Sequence, residues 1–236
     1  AALQATIATY GTMATQNANN VAITGGTINN TTVGATTPAA GTFTTLTAQN
    51  ETLKGTGQNL NTFSQDFSNA AWTKILTTIS GTLFTAPDGT TTANKVTATT
   101  TGTSLRQVYQ VGKTLTTTSY TFSFYAKAAE LSWVKLNAFD GTNRQTYFDL
   151  TNGTVGAVAS GDTASISSAG SGWYRCSVTR TASSTVIGGL SIEITSGNNV
   201  DTPTLTAGNG IYVWGAQLEL ASSVGTYIPT TTTAVY

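Results

Sequence analysis

From residue 59 onward, apolar side chains alternate with polar ones, which is the pattern of β-strands, whose side chains point to opposite faces with a period of two. The alternating runs lie between turn-forming sequences such as Pro87-Asp88-Gly89 and Thr151-Asn152-Gly153. They predict strands at residues 105–111, 120–127, 133–139, 145–150, 173–179, 190–194 and 211–220. Short strands separated by turns favour a sandwich of antiparallel sheets.

The same alternation assigns a buried face and an outer face to each predicted strand. The residues expected in the core are Tyr120, Phe122, Phe124, Ala126, Val134, Leu136, Ala138, Phe148, Leu150, Tyr174, Cys176 and Val178. If these strands lie in one sheet, its outer face carries Tyr125, Lys127, Trp133, Lys135, Asn137, Tyr147, Asp149 and Arg175. That surface would combine aromatic rings with hydrogen-bonding groups.

The first fifty residues follow a different pattern, with single apolar residues set far apart among Thr, Ala, Gly and Asn. No Asp, Glu, Lys or Arg occurs before Glu51. Such a segment has too few apolar residues for a core of its own and lacks the charge of an ordinary disordered tail. We therefore expect it to pack against copies of itself through Ile23, Ile28, Val33, Phe43 and Leu46. A flexible linker is the alternative.

The change of character near Gly55-Thr56-Gly57 predicts two parts, a stalk at residues 1–57 and a β-sandwich at residues 58–236. Thr is abundant, and Val, Tyr, Phe and Trp also favour strands, so we expect an all-β protein. Ten acidic residues balance ten basic ones with no Lys/Arg cluster, which argues against a nucleic-acid partner. No apolar stretch of about 18 residues is present, so we expect no membrane insertion.

The composition also restricts the chemistry. The chain has no histidine, which excludes a Ser-His-Asp triad, a Cys-His pair and every histidine-containing metal site. The single cysteine, Cys176, forms no intrachain disulfide and is expected to be a small buried hydrophobe. No glycine-rich phosphate loop is present. We expect neither a metal nor a cofactor.

Paired carboxylates are the one catalytic arrangement that the composition permits. Glycoside hydrolysis needs two carboxyl groups about 5 to 9.5 Å apart. Asp140 and Asp149 flank one predicted hairpin and could approach each other. However, Asp140 precedes Gly141 as turn residues do, and Asp149 alternates as an ordinary outward strand residue. We therefore predict no catalytic residue and a protein that is not an enzyme.

Two sets of motifs resemble phage proteins. Residues 13–28 and 33–46 closely resemble a module repeated across bacteriophage tail and head fibre proteins, where it forms an intertwined trimeric stalk. A second set is similar to a phage domain of carbohydrate-binding-module type: Asn59-Leu60 and residues 67–74, 86–90, 120–127, 172–178, 214–219 and 227–230. The resemblance implies a jelly-roll β-sandwich on a homotrimeric stalk, placed on a virion beside other virion proteins. Asn94 and Gln65 stand where the family often has acids, which weakens any carried-over calcium site.

Sugar recognition is the sharpest functional hypothesis for the sandwich. Tyr125, Trp133 and Tyr147 would form an aromatic platform for a sugar ring, with Lys135, Asn137 and Arg175 around it. The alternative is that these residues pack at the stalk junction or against a neighbouring protomer. The chain is thus expected to be a non-enzymatic phage fibre that attaches to bacterial cell-surface polysaccharide. A capsid decoration or head fibre with a mainly architectural role and a surface-polysaccharide hydrolase remain the alternatives.

Overall fold

Fifteen short strands and the turns between them make up residues 57–236, the part of the chain that the computed structural model describes. They are β1 Thr73–Ile75, β2 Thr77–Ile79, β3 Phe84–Thr85, β4 Thr91–Ala98, β5 Gly102–Thr103, β6 Gln107–Leu115, β7 Ser119–Ala128, β8 Trp133–Phe139, β9 Gln145–Asp149, β10 Thr154–Val155, β11 Thr163–Gly170, β12 Trp173–Thr181, β13 Val186–Thr195, β14 Thr204–Leu205 and β15 Gly210–Glu219. A helix that could cross a membrane is absent from this part of the chain.

The strands form two large antiparallel sheets. The front sheet has the order β1-β6-β13-β8-β9-β10. The back sheet has the order β11-β12-β7-β15-β4-β2, with β3 pairing to β4, and β14 and β5 form a separate small ribbon. The prediction of an all-β antiparallel sandwich is confirmed. Ile23, Ile28, Val33, Phe43 and Leu46 lie outside the described residues, so the stalk, its trimer and the boundary at residue 57 stay predictions.

The core fills the space between the two sheets. It contains eleven of the twelve residues that the alternation assigned to it, and Tyr174 packs against it half-buried. Cys176 is fully buried, as expected, and burial raises the pKa of its thiol. Trp72 closes one side of the core with its ring centroid 4.7 Å from that of Phe67, while its indole nitrogen donates to the Phe63 carbonyl at 3.0 Å.

A second apolar cluster covers the outer face of the back sheet. It is formed by Trp173, Trp214, Ala86 and Ala93, with Tyr125 and Tyr227 packed against it. The Trp173 indole donates to the Thr85 carbonyl at 3.2 Å, and the Trp214 indole donates to the Thr92 hydroxyl at 2.8 Å. The outer face of this sheet is therefore largely closed by neighbouring segments of the same chain.

Arg180 joins the two sheets at one end of the sandwich. It lies on β12 of the back sheet, is 2% exposed, and donates to the carbonyl of Ala138 on β8 of the front sheet. Its guanidinium also makes a two-pronged contact with the Asp162 carboxylate at 2.6 and 2.5 Å, and lies 3.5 Å from Asp140. A buried cation of this kind is tolerated because its charge is paired and its donors are satisfied.

The two ends of the described chain meet beside β15. Asn59 and Val235 form an antiparallel backbone bridge. The buried Asn59 side chain donates to the carbonyls of Ala216 and Ile228 at 2.9 and 2.8 Å. Its oxygen accepts from the backbone N–H groups of Asn61 and Leu218 at 3.1 and 3.2 Å. One amide thus fixes the first described segment against the last.

Candidate ligand-binding face

The six residues predicted to bind sugar do not share one surface. Tyr125 on β7 and Arg175 on β12 belong to the back sheet, whereas Trp133, Lys135, Asn137 and Tyr147 belong to β8 and β9 of the front sheet. The premise of a single sheet was wrong, because the chain crosses from one sheet to the other between β7 and β8. Alternation within a strand assigns a face, but it carries no information about which sheet the strand joins.

Tyr125 and Arg175 pack the C-terminal segment onto the back sheet. The Tyr125 ring lies edge-on to Trp214 and to Tyr227, with centroid distances of 5.2 and 5.9 Å. The Arg175 guanidinium lies 5.3 Å from the Tyr125 ring centroid and donates to the Gly225 carbonyl at 2.5 Å. These two side chains therefore pack against a segment of their own chain, while the contact with a stalk junction or a neighbouring protomer stays a prediction.

The outer face of the front sheet carries two cross-strand rows of polar side chains. The register of β6, β13, β8 and β9 aligns Tyr109, Ser191, Asn137 and Gln145 in one row, and Gln107, Glu193, Lys135 and Tyr147 in the next. We call this surface the front face. Four of the six predicted residues are thus on it or at its margin.

A buried ion pair lies at the centre of the front face. The Lys135 ammonium is fully buried and lies 2.9 Å from the Glu193 carboxylate. It also contacts both the carboxylate and the backbone carbonyl of Asp201, at 2.8 and 2.6 Å. Lys135 thereby fastens the loop of residues 196–203 over the sheet, so its charge is used inside the protein rather than offered to a ligand.

Burial and the ion pair shift the pKa values of Glu193, Asp201 and Tyr147. Burial raises the pKa of Glu193, although the nearby Lys135 works in the opposite direction. The hydrogen bond from Lys135 holds the pKa of Asp201 below its ordinary value. Burial, together with the charges of Asp201 and Glu193, raises the pKa of Tyr147 to about 12. The Tyr147 hydroxyl therefore remains protonated at neutral pH and donates to Gln145 at 3.2 Å.

Two adjoining hollows open on the front face. The wide hollow, of about 520 Å³, is lined among others by Asn143, Arg144, Gln145, Tyr147, Asn199 and Asp201. The narrow hollow, of about 190 Å³, is lined among others by Gln107, Tyr109, Val111, Phe139, Asn143 and Ser191. Asn143 lines both, so the two hollows are neighbours.

Small residues on the central strand account for the narrow hollow. β13 contributes Gly189 and Ser191, while the strands beside it carry Tyr109 and Val111 on one side and Asn137 and Phe139 on the other. Large side chains therefore form walls above a low floor. Gly189 has no room for a side chain, since an added Cβ would lie 2.2 Å from the Gln110 carbonyl oxygen and 2.6 Å from the Val111 Cα.

Replacing Gly189 with alanine is expected to lower the free energy of unfolding by about 1–3 kcal/mol, because the new methyl group pushes backbone against backbone. Chemical denaturation monitored by tryptophan fluorescence measures the change. Gly81→Ala is the matched control, since an added Cβ there meets no atom within 4 Å. Equal stabilities for the two variants would contradict the close contact between β13 and β6.

The sequence-predicted residues of the front face support its floor rather than forming its free surface. Lys135, Asn137 and Tyr147 are buried, and Trp133 is half-buried with its ring against Gly156. The residues that sequence reasoning missed are Gln107, Tyr109, Val111, Phe139, Asn143 and Arg144. The alternation in residues 105–111 places Gln107, Tyr109 and Val111 on one face. It does not predict the strand order that brings this face beside β8.

Asp140 and Asp149 do not approach each other. Asp149 is paired with Trp133 at the start of β8, and Asp140 follows the end of that strand. At about 3.3 Å per residue, seven residues separate them by about 23 Å, well beyond the roughly 5 to 9.5 Å of a glycosidase pair.

Each of these two aspartates also has a structural role. Asp149 accepts from the backbone N–H groups of Thr151 and Asn152 at 2.8 and 3.2 Å, in a turn. Burial would raise the pKa of Asp149, but its hydrogen bonds from Asn152 and Thr151 outweigh that effect and lower it. Asp140 lies against Arg180. Among residues 57–236, no group of three or more His, Cys, Asp or Glu side chains is placed to hold a metal ion.

No protein-family model and no curated protein matches this chain. Among solved structures, the chain is similar to the enzymatically active domain of tailspike protein 4 of bacteriophage CBA120, with a TM-score of 0.42 and 14% sequence identity. The similarity covers 69% of this chain, which spans 21% of the length of that structure. A likeness of this degree carries no argument about activity.

Proposed function

We propose that this protein is a non-enzymatic fibre of a phage virion, and that its sandwich attaches to bacterial surface glycan through the front face. The observation that carries the proposal is the pair of neighbouring hollows on that face. The resemblance of residues 13–28 and 33–46 to phage fibre modules supports the fibre role, with a homotrimer and other virion proteins as its assembly partners.

The chemistry of the hollows suits a sugar. Sugar rings have apolar faces and a rim of hydroxyl groups, so they require apolar or aromatic surface beside hydrogen-bonding groups. The narrow hollow places Tyr109, Val111 and Phe139 next to the amides of Gln107 and Asn143. The buried Lys135–Glu193 pair beneath holds the floor in place, which favours a binding surface that is formed before the ligand arrives.

Binding without hydrolysis agrees with the ion pairing of the nearby carboxylates. Glu193 and Asp201 are held by Lys135, and Asp140 by Arg180. These acidic groups are engaged in ion pairs rather than poised as an acid and a base. Three copies on one fibre would raise the avidity of individually weak contacts, because the later binding events become intramolecular.

Replacing Tyr109 with alanine is expected to weaken glycan binding roughly tenfold, since an aromatic contact and its buried area are lost. The full chain would be tested by surface plasmon resonance on immobilised lipopolysaccharides and capsular polysaccharides from a panel of bacteria. Tyr236→Ala is the matched control, because Tyr236 is 88% exposed and lies outside the front face.

Binding that Tyr109→Ala and Tyr236→Ala reduce equally would argue against the front face. Failure to bind any polysaccharide of the panel would favour the architectural alternative. Release of reducing ends from a bound polysaccharide would overturn the non-enzymatic part of the proposal.

A further inference from the structure

The orientation of the Asn143 amide is fixed by its neighbours. The backbone N–H of Arg144 donates to the Asn137 side-chain oxygen at 3.1 Å, so the Asn137 amide nitrogen must point the other way. That nitrogen donates to the Asn143 side-chain oxygen at 3.0 Å. The Asn143 amide nitrogen is left facing outward, and it has no acceptor among the described residues.

Gln107 presents the same kind of group from the opposite wall. The Ser191 hydroxyl lies 2.9 Å from the Gln107 side-chain oxygen and 3.3 Å from the Glu193 carboxylate, and it donates its single proton to the nearer of the two, Gln107. The Gln107 amide nitrogen has no acceptor within the described part of the chain. The two free amides that border the narrow hollow therefore both offer N–H donors, and a ligand seated there must supply oxygen acceptors.

The acceptor that fits this hollow is uncharged. Within residues 57–236, the residues lining the narrow hollow include no Asp, Glu, Lys or Arg. A carboxylate or phosphate would lose its hydration there without gaining a cation, which is costly. A carbonyl oxygen loses much less, and amide N–H groups are its ordinary partners.

An aliphatic side chain completes the site. Val111 lies in the wall beside these donors and is 42% exposed, and Phe139 forms the facing wall. A flat aromatic surface would be enough for stacking a sugar ring, whereas an aliphatic wall next to N–H donors suits a methyl group attached to a carbonyl. Burying such a methyl group removes apolar surface from water, which favours binding.

From these observations we infer that the narrow hollow binds the acetamido group of an N-acetylated sugar, so that the glycan recognised by the front face contains N-acetylhexosamine. This inference rests on the proposed function and names its substrate class. The acetyl methyl group lies against Val111, and the acetyl oxygen accepts from Asn143. The next sugar of the chain extends past Asn143 into the wide hollow, towards Arg144 and Asn199.

The test compares sugars that differ in the acetamido group alone. N-acetylglucosamine, N-acetylgalactosamine and N-acetylmannosamine are each titrated into the full chain beside glucose, galactose and mannose. At least one acetylated sugar is expected to bind roughly tenfold more tightly than its parent sugar, because the parent sugar lacks both the hydrogen bond and the methyl contact of the acetamido group. Saturation-transfer NMR should show the strongest signal at the acetyl methyl protons.

Asn143→Asp tests the donor directly, because it replaces the free amide nitrogen with an oxygen of nearly the same size. It should abolish the preference for the acetylated sugar. Because Asn143 is exposed, the midpoint of thermal unfolding should stay unchanged. Asn209→Asp is the control, with the same change of charge in the turn before β15, on the back sheet.

The outcomes separate this inference from the proposed function. Equal affinity for each acetylated sugar and its parent, together with polysaccharide binding that Tyr109→Ala weakens, would overturn the acetamido assignment and leave glycan attachment standing. Retention of the preference in Asn143→Asp would also overturn the assignment. Absence of binding to every polysaccharide of the panel would overturn the proposed function itself.

Discussion

Replacing Lys135 with methionine is expected to lower the free energy of unfolding by about 3–5 kcal/mol, because it leaves the Glu193 carboxylate buried without a cation. The two side chains are 0% and 1% exposed in the native protein, so water cannot take the place of the lost partner. The substitution also removes both bonds to Asp201, and the loop of residues 196–203 loses its attachment to β8. Chemical denaturation at neutral pH measures the effect.

Two control variants show whether burial is the cause. Lys95→Met breaks an ion pair of similar length, 2.6 Å, whose acidic partner Glu130 is 44% exposed. We expect that exposed pair to contribute about 1 kcal/mol or less. The double variant Lys135→Met/Glu193→Leu should recover part of the loss, since it removes the unpaired charge. A Lys135→Met protein no less stable than Lys95→Met would contradict the buried-pair interpretation.

The pH dependence of the Lys135→Met variant provides a further check within the same experiment. Burial already raises the pKa of Glu193, and loss of the neighbouring cation raises it further. A carboxyl group whose folded pKa exceeds its unfolded value contributes its stability below the unfolded pKa of about 4.3, and loses it as the pH rises through the folded pKa. The deficit relative to the native protein should therefore be smallest near pH 4 and grow towards neutrality.

The second large effect is expected at Asn59. Asn59→Ala should lower the free energy of unfolding by about 3 kcal/mol or more, because four hydrogen bonds are lost and buried backbone groups lose their partners. Those bonds connect Asn59 to Asn61, Ala216, Leu218 and Ile228. Thermal unfolding followed by circular dichroism at the β-sheet wavelength measures the change.

Asn61 supplies the matched control for Asn59. Both side chains are fully buried, but neither side-chain atom of Asn61 meets a hydrogen-bond partner within residues 57–236. Asn61→Ala removes a buried amide without breaking a hydrogen bond of that amide, so its cost should be much smaller. If the two alanine variants lose the same stability, the hydrogen bonds of Asn59 are not what holds the chain ends together.

Much of the sandwich could be predicted from the alternation of side chains. The bounds of β8 were predicted residue for residue, and the expected buried face of β7 lies in the core. These strands are easy to recognise because Phe, Tyr, Val and Leu mark every second position. β4 and β11 were missed, since Thr, Ser, Ala and Gly dominate them and their period-two pattern is faint.

The ligand-binding face was harder to predict because it depends on contacts distant in sequence. The narrow hollow is formed by β6, β13 and β8, and the central strand β13 is the last of them in the chain. A sequence pattern shows that Val111 points outward, but not that Phe139 faces it across Gly189. The burial of Lys135 could not be predicted from the sequence either. The alternation of β8 points Lys135 away from the core, but the loop that contains Asp201 covers it.

The bridge between Asn59 and Val235 places the two ends of the described chain side by side, so the sandwich is nearly a closed ring. A ring can be joined at one point and cut at another, and chain cuts are tolerated best in exposed turns. Joining residue 236 to residue 58 by a short linker and reopening the chain at the exposed turn of Asp88 and Gly89 would give a circular permutant with the same two sheets. In such a permutant the chain ends lie at residues 88 and 89, so a fusion partner would leave the sandwich from a different point while the front face stays intact.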